Sequence, residues 1–380
     1  MLKRTLGITR NFNALDKFLR QKSVPHRTPE DLVAIVSNTA NFHWSPVVSD
    51  ILSTRLIGLQ PSDVFQIVTA VYRRREKTKV PPELLNLLLS ALIDASGHRL
   101  DSAALIRGIE MIRELSGQYW DPNHIAQSST VQRIVRDTCT PLRVFIRLLS
   151  LGGDWDTRSL INRVSSTISP YDLARIAYLT GNFDAYSRAA KSVTADSFAF
   201  LMKADAAWDF SSGPSWISNV PRGIFDQLSP YQAQVSLWSG LAMGVDKSLI
   251  QILEVVANRE PWRQHHMYEQ YRMISDPGHS PNYPIRIPQL GLERKHLVAQ
   301  RYKDLLSGCG LQETRQSLSD THLFDICVND SFYIDIVTYP NDPNYRVYKK
   351  LVSPKYPVIE VQAHATADPS TINDIVRPYL

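Results

Sequence analysis

The sequence predicts an array of α-helical repeats, an α-solenoid, followed by a small C-terminal α/β module. Two observations carry that prediction. The first is a helix-start pattern that recurs from about residue 28 to residue 274. The second is a change of grammar after a Pro-rich stretch at 275–291, beyond which short β-rich runs alternate with helices.

The recurrence is clearest in two segments. ISPYDLARIAYLTGNF (168–183) and RTPEDLVAIVSNTANF (27–42) lie 141 residues apart and share seven of sixteen positions. Related starts are Gln60-Pro61-Ser62-Asp63, Pro81-Pro82-Glu83 and Ser229-Pro230-Tyr231-Gln232. A Ser or Thr caps the free N–H groups of a first helical turn. Proline fits the first helical position because its missing N–H would go unpaired there anyway. An acid two or three residues on favours the positive helix end. After each start, apolar residues recur at spacings of three or four, as from Leu173 to Ile176 and Ala177 and from Ile176 to Leu179. Each helix therefore has one stripe that needs a neighbour. The spacing of the starts is irregular, which describes a degenerate repeat.

The stretch SDPGHSPNYPIRIPQLG (275–291) contains four prolines and reads as a stiff linker. Beyond it, LERKHLVAQRYKDLLSGCG predicts a helix and LQETRQS a short strand. HLFDICV and SFYIDIVT flank Asn329-Asp330, a hairpin signal. NDPNYRVYKKLV predicts a helix, PVIEVQ a strand, and STINDIV a last helix. The chain thus divides into a basic N-terminal segment (1–27), a helical repeat domain (28–274), the linker (275–291) and the module (292–380).

Composition narrows the function. With 380 residues, 43% hydrophobic and 21% charged, this is a folding chain with no apolar run long enough for a membrane span. The net charge is +5. Residues 1–29 hold seven Lys/Arg against the single acid Asp16, so the remainder is close to neutral. A neutral body speaks against strong, free-standing phosphate binding. The segment MLKRTLGITRNFNALDKFLRQK is basic, amphipathic and almost free of acids. It reads as a mitochondrial targeting signal, uncleaved or internal, and places the protein in the matrix. Cys139, Cys309 and Cys327 form no CxxC pair and read as buried apolar residues.

The helix motif resembles the repeats of organellar RNA-binding proteins, namely FAST-kinase-like, octotricopeptide and heptatricopeptide repeat proteins. In those families the array commonly precedes a RAP domain. Residues 292–380 resemble a divergent one in element order, in the acid-centred strands FDICV and YIDIV, in the basic helix RVYKK, and in the terminal Tyr-Leu. Departures are Thr338-Tyr339-Pro340 in place of Asp-Gly-Pro, and His364 where a Trp often stands. The resemblance implies a PD-(D/E)xK-like topology, and so raises the question of a nuclease centre.

Such a centre needs two carboxylates on paired strands to hold a divalent metal, and a lysine two residues past the second. A three-residue hairpin loop would set Asp325 opposite Asp335, but Val337 stands where the lysine belongs. Glu360-Val361-Gln362 lacks it too. The two aspartates are then expected to bond backbone or pair with Lys349 or Arg346. His265 and His266 are adjacent and cannot share one helix face, so no metal or other cofactor is expected.

The expected function is non-catalytic and RNA-associated: a component or assembly factor of the mitochondrial ribosome, or of another mitochondrial RNA–protein complex. Its partners would be mitochondrial rRNA or mRNA and neighbouring proteins. Candidate RNA contacts are Arg73, Arg74, Arg75, Arg346, Lys349, Lys350 and Lys355, with Phe42, His43 and Trp44 as a base-stacking group. The alternatives are a transcript-specific stability or processing factor, a protein-only scaffold, and a metal-dependent nuclease.

Overall fold

The computed structural model describes residues 59–73, 80–95, 101–117, 120–121, 125, 128–136, 141–151, 168–210, 216–276, 278–281, 285, 292–308, 311, 324–339, 342–352, 356–363 and 377. Among them the chain is mostly helical, with 14 α-helices and one three-stranded mixed sheet near the C-terminus. It divides into two compact units, Met1–Asp154 and Trp155–Leu380, and the Pro-rich stretch lies inside the second. The basic N-terminal segment, the twin motif at 27–42, most of the strand expected at 311–317 and the last expected helix lie outside the described residues.

In the first unit, α1 (Pro61–Tyr72), α2 (Pro82–Ala95), α3 (Ser102–Ser116), α4 (Ser129–Arg136) and α5 (Leu142–Leu149) are described. Helices α1 and α2 both begin on proline, but Gln60 makes no side-chain cap for α1. Helix α3 packs on both. Gly108 permits a close approach to α2, since a Cβ there would stand 2.6 Å from Leu92 Cδ2. Helix α5 is tied to α3 by Arg147, whose Nε donates to Glu110 Oε1 at 2.6 Å.

In the second unit the helix-start pattern is visible at the level of atoms. Ser169 Oγ accepts from the Asp172 N–H at 3.1 Å to open α6 (Pro170–Thr180). Ser229 and Gln232 form a reciprocal capping box on α10 (Pro230–Met243), and Thr194 and Ser197 do the same on α8 (Ala195–Trp208).

The tail of the twin motif also has a physical cause here. Thr180 Oγ1 donates back to Ile176 O at 2.7 Å, and Gly181 closes α6 in the left-handed region at φ +68°. Asn182 Oδ1 then accepts from the Ala185 N–H at 2.8 Å, capping α7 (Phe183–Ala190). Glycine is required at 181 twice over, because a Cβ would also meet the Trp208 ring at 3.0 Å.

Helix α8 packs on α6 on one side and α10 on the other. Helices α9 (Gly223–Gln227), α11 (Lys247–Ala257) and α12 (His265–Ser275) complete the group. Two buried polar side chains, Asp205 and Gln270, are held by aromatic donors. Asp205 Oδ2 accepts from Tyr186 Oη at 2.9 Å and Trp216 Nε1 at 3.2 Å. Gln270 Oε1 accepts from Trp238 Nε1 at 2.8 Å.

The module comprises α13 (Leu292–Gly308), β1 (Ile326–Val328), β2 (Phe332–Val337), α14 (Pro343–Lys350) and β3 (Val358–Gln362). Strand β2 is central, antiparallel to β1 and parallel to β3. Val328 pairs with Phe332, so the hairpin loop has three residues; Asn329 and Asp330 take φ +47° and +53°, which suits their short polar side chains. Phe332, Ile334 and Ile336 share a core with Val298, Tyr302 and Leu306 of α13. On the other face Val337 joins Val347 and Tyr348 of α14 in one core with Ala206, Ala207, Trp238 and Met267. Ile285 of the Pro-rich stretch is buried in that same core, where its carbonyl accepts from Tyr348 Oη at 3.1 Å. Helices α8, α10 and α12 and the module therefore fold around common apolar contacts.

Candidate functional site

The register that pairs Ile326 with Ile334 sets Asp325, one residue earlier, beside Asp335 of β2. The partner of both is a residue the sequence did not single out. Lys295, in the first turn of α13, places Nζ 2.8 Å from Asp325 Oδ2 and 3.4 Å from Asp335 Oδ1. The Lys295 and Asp325 side chains are each only 4% exposed, and Asp335 is 12% exposed. Asp325 Oδ2 also accepts from the Ile336 N–H at 2.7 Å.

Strand β3 and helix α14 close the other side. Asp335 and Glu360 are register partners on parallel strands. Tyr345 Oη lies 2.8 Å from Asp335 Oδ2 and 3.2 Å from Glu360 Oε1, so its one proton serves two carboxylates. Burial, with Asp335 and Glu360 adding to it, holds the Tyr345 phenol well above its ordinary pKa, and it remains a donor. Lys349 Nζ reaches Glu360 Oε1 at 2.6 Å.

Burial pushes the Asp335 carboxyl up to about 6. The Lys295 ammonium opposes this and Asp325 adds to it. Two carboxylates in a dry site resist joint ionisation. Lys295 supplies the compensating charge that a metal would supply in a nuclease. No group of three or more His, Cys, Asp or Glu side chains among the described residues is arranged to hold a metal ion. Val337, where nuclease chemistry would put a lysine, is 2% exposed and packs in the core.

The cations of α14 have structural partners. Arg346 Nε donates to Ala207 O at 2.8 Å, and its guanidinium lies 4.4 Å from the Trp208 ring centroid. Lys350 Nζ donates to Ala206 O at 2.6 Å and pairs with Asp209. Both satisfy carbonyls at the negative end of α8, where cations are favoured. Arg73 is exposed at the C-terminus of α1. Arg74, Arg75, Lys355, Phe42, His43 and Trp44 lie outside the described residues.

His265 is exposed near Glu269, whereas His266 packs edge-on to Trp238, so the two imidazoles point to different surroundings. Burial, then His265 and Lys203, lowers the His266 pKa to about 4. Of the cysteines only Cys327 is described, and it is buried. No helix among the described residues is long and apolar enough to cross a membrane.

No family model matches the chain, and no curated protein matches it either.

Proposed function

We propose that this chain is a non-catalytic, RNA-associated protein of organellar gene expression, acting in the mitochondrial matrix as a component or assembly factor of the mitochondrial ribosome or of another RNA–protein complex. In this reading the helices are solenoid repeats and the module is a RAP-type domain with a PD-(D/E)xK-like topology. The observation that carries the non-catalytic part is the seat of Lys295. An ammonium from the protein itself lies against both aspartates, at a nearly closed seat that a metal would have to share. The repeat grammar at 168–183 and 229–243 and the acid-centred hairpin support the RNA-associated part, through the families they resemble.

The near-neutral body fits a protein that gains much of its affinity from neighbouring proteins. The test is crosslinking of RNA to protein in the native particle, with the crosslinked residues mapped by mass spectrometry. Crosslinks on the helical array are expected, and their absence from the whole chain would refute the reading. One observation favours a second reading, a protein-only scaffold: Arg346 and Lys350, two of the cations offered as RNA contacts, bind carbonyls of α8, and Lys349 pairs with Glu360.

A further inference from the structure

Strand β3 lies at one edge of the sheet, and among the described residues no strand pairs with its outer side. Two bonds define its inner side. The Tyr333 N–H donates to Pro357 O at 2.8 Å, and the Ala363 N–H donates to Val337 O at 2.9 Å. Parallel pairing alternates along the chain, so Ile359, Val361 and Ala363 turn their backbone groups toward β2. The N–H and C=O groups of Val358, Glu360 and Gln362 point the other way, and they have no backbone partner among the described residues. Glu360 and Gln362 are exposed.

Natural sheet edges are usually blocked by proline, lysine or a bulge. Strand β3 reads VIEVQ, with neither residue, and its register with β2 is unbroken from Val358 to Gln362. Such an edge offers a donor and an acceptor at every second residue, about 6.7 Å apart. An extended backbone repeats in the same way, whereas a helix keeps its groups inside and a nucleic acid would bring phosphates toward Glu360. The side chains narrow the partner further. Ile359 and Val361 pack with the core under α13, so apolar neighbours fit on that face. On the α14 face three carboxylates, Asp325, Asp335 and Glu360, meet two ammonium groups, Lys295 and Lys349, among the described residues. The carboxylate in surplus that reaches solvent is Glu360, at the middle of the open edge. A second copy fits badly. Antiparallel pairing about a twofold axis that uses all three outer residues sets Glu360 against its own copy, and like charges directly opposite are destabilising.

We propose that a neighbouring protein adds an extended segment to the outer edge of β3 as a further strand, with apolar residues beside Ile359 and Val361 and a Lys or Arg beside Glu360. The proposal rests on the reading above, in which the chain sits among the proteins of a larger assembly, and it names one place of contact and the chemistry of the partner.

The test is amide hydrogen exchange at single-residue resolution, on the full chain alone and on the assembly in which it is isolated from its own cells. In the chain alone the Ile359 and Val361 amides should exchange slowly and those of Glu360 and Gln362 rapidly. In the assembly the Glu360 and Gln362 amides are expected to slow by about tenfold or more, and to stay slow after ribonuclease treatment. Gln362→Pro removes an outer N–H and leaves the bonds to β2 in place. It should keep the melting temperature and enter the assembly about tenfold less well. The exchange data on the unmodified chain decide the matter even where this variant folds poorly. Outer amides that stay fast in the assembly, protection released by ribonuclease, outer amides already slow in the chain alone, or a folded Gln362→Pro chain that enters the assembly as well as the original would each overturn the proposal and leave the RNA-associated reading intact. Slow outer amides in an assembly that contains no RNA would overturn that reading and leave the proposal standing. Isolation of the chain with no partner at all would overturn both.

Discussion

Replacing Lys295 with methionine tests the central claim about the module. Methionine keeps most of the chain length but removes the charge that lies 2.8 Å from Asp325 and 3.4 Å from Asp335. All three side chains are buried, so water does little to replace the lost ammonium. Breaking a buried ion pair from one side costs about 3–5 kcal/mol. At about 2–4 °C per kcal/mol for a unit of this size, the melting temperature at pH 7.5 should fall by roughly 6–20 °C. The loss should be distinctly smaller at pH 5, because an aspartate pair without its counter-ion takes up a proton and so removes the repulsion. Lys295→Met combined with Asp325→Asn should recover part of the loss at pH 7.5, since one buried charge is then absent. Calorimetric melts at the two pH values provide the measurement. An equal shift at both pH values, or a shift below about 2 °C at pH 7.5, would refute the argument that Lys295 neutralises the pair.

Other consequences concern pH, the α8 clamp and the α6–α7 turn. Asp335 has a folded pKa raised from 3.8 to about 6, so the folded state holds the extra proton and stability falls as pH rises through that window. His266 has a folded pKa lowered from 6.5 to about 4, so its contribution has the opposite sign and is lost as pH falls through its own window. Asp335→Asn should therefore make stability rise more steeply between pH 4 and 6, and His266→Phe should make it fall; denaturant titrations at each pH measure the slopes. Arg346→Ala loses the bond to Ala207 O and the contact with Trp208 and should cost about 2 kcal/mol, with Arg346→Lys restoring only part, as thermal melts will register. Gly181→Ala should cost clearly more than Gly244→Ala in the same assay. Both glycines have positive φ, worth about 1 kcal/mol to an alanine, but only at 181 does the new Cβ also meet an indole ring.

Much of the local structure was legible because its causes are local. A serine followed by proline and an acid, as at 169–172, has one favourable use, and the capping bonds are there. Asn329-Asp330 between alternating apolar runs marked the hairpin for the same reason, while the length of its loop, three residues, came from the strand register. The core shared by α8, α10 and α12 with the module was not legible. It depends on Ile285 surviving as a buried residue in a stretch whose prolines look like a linker, and on Arg346 and Lys350 reaching carbonyls of Ala207 and Ala206 more than a hundred residues away. A basic helix end reads alike whether its cations face phosphate, solvent or another helix.

The aspartate pair shows the same limit in chemical terms. Sequence spacing set Asp325 beside Asp335 only on the condition of a three-residue loop, which the register meets, and showed the lysine of a nuclease strand to be missing at Val337. What spacing alone could not supply was the compensating cation, because Lys295 sits 30 residues before Asp325 on an unremarkable amphipathic helix. The signal that existed was physical rather than positional. Two carboxylates predicted on one buried face must have a positive partner, and a lysine near the start of the helix that covers the sheet is a natural source. Lys349 and Arg346 were nearer in sequence, yet Lys349 answers Glu360 and Arg346 answers the end of α8. Buried charge in this module is thus balanced locally and internally. A cation that balances buried charge is not free to hold phosphate, so Lys295, Arg346 and Lys350 are poor candidates for RNA contact.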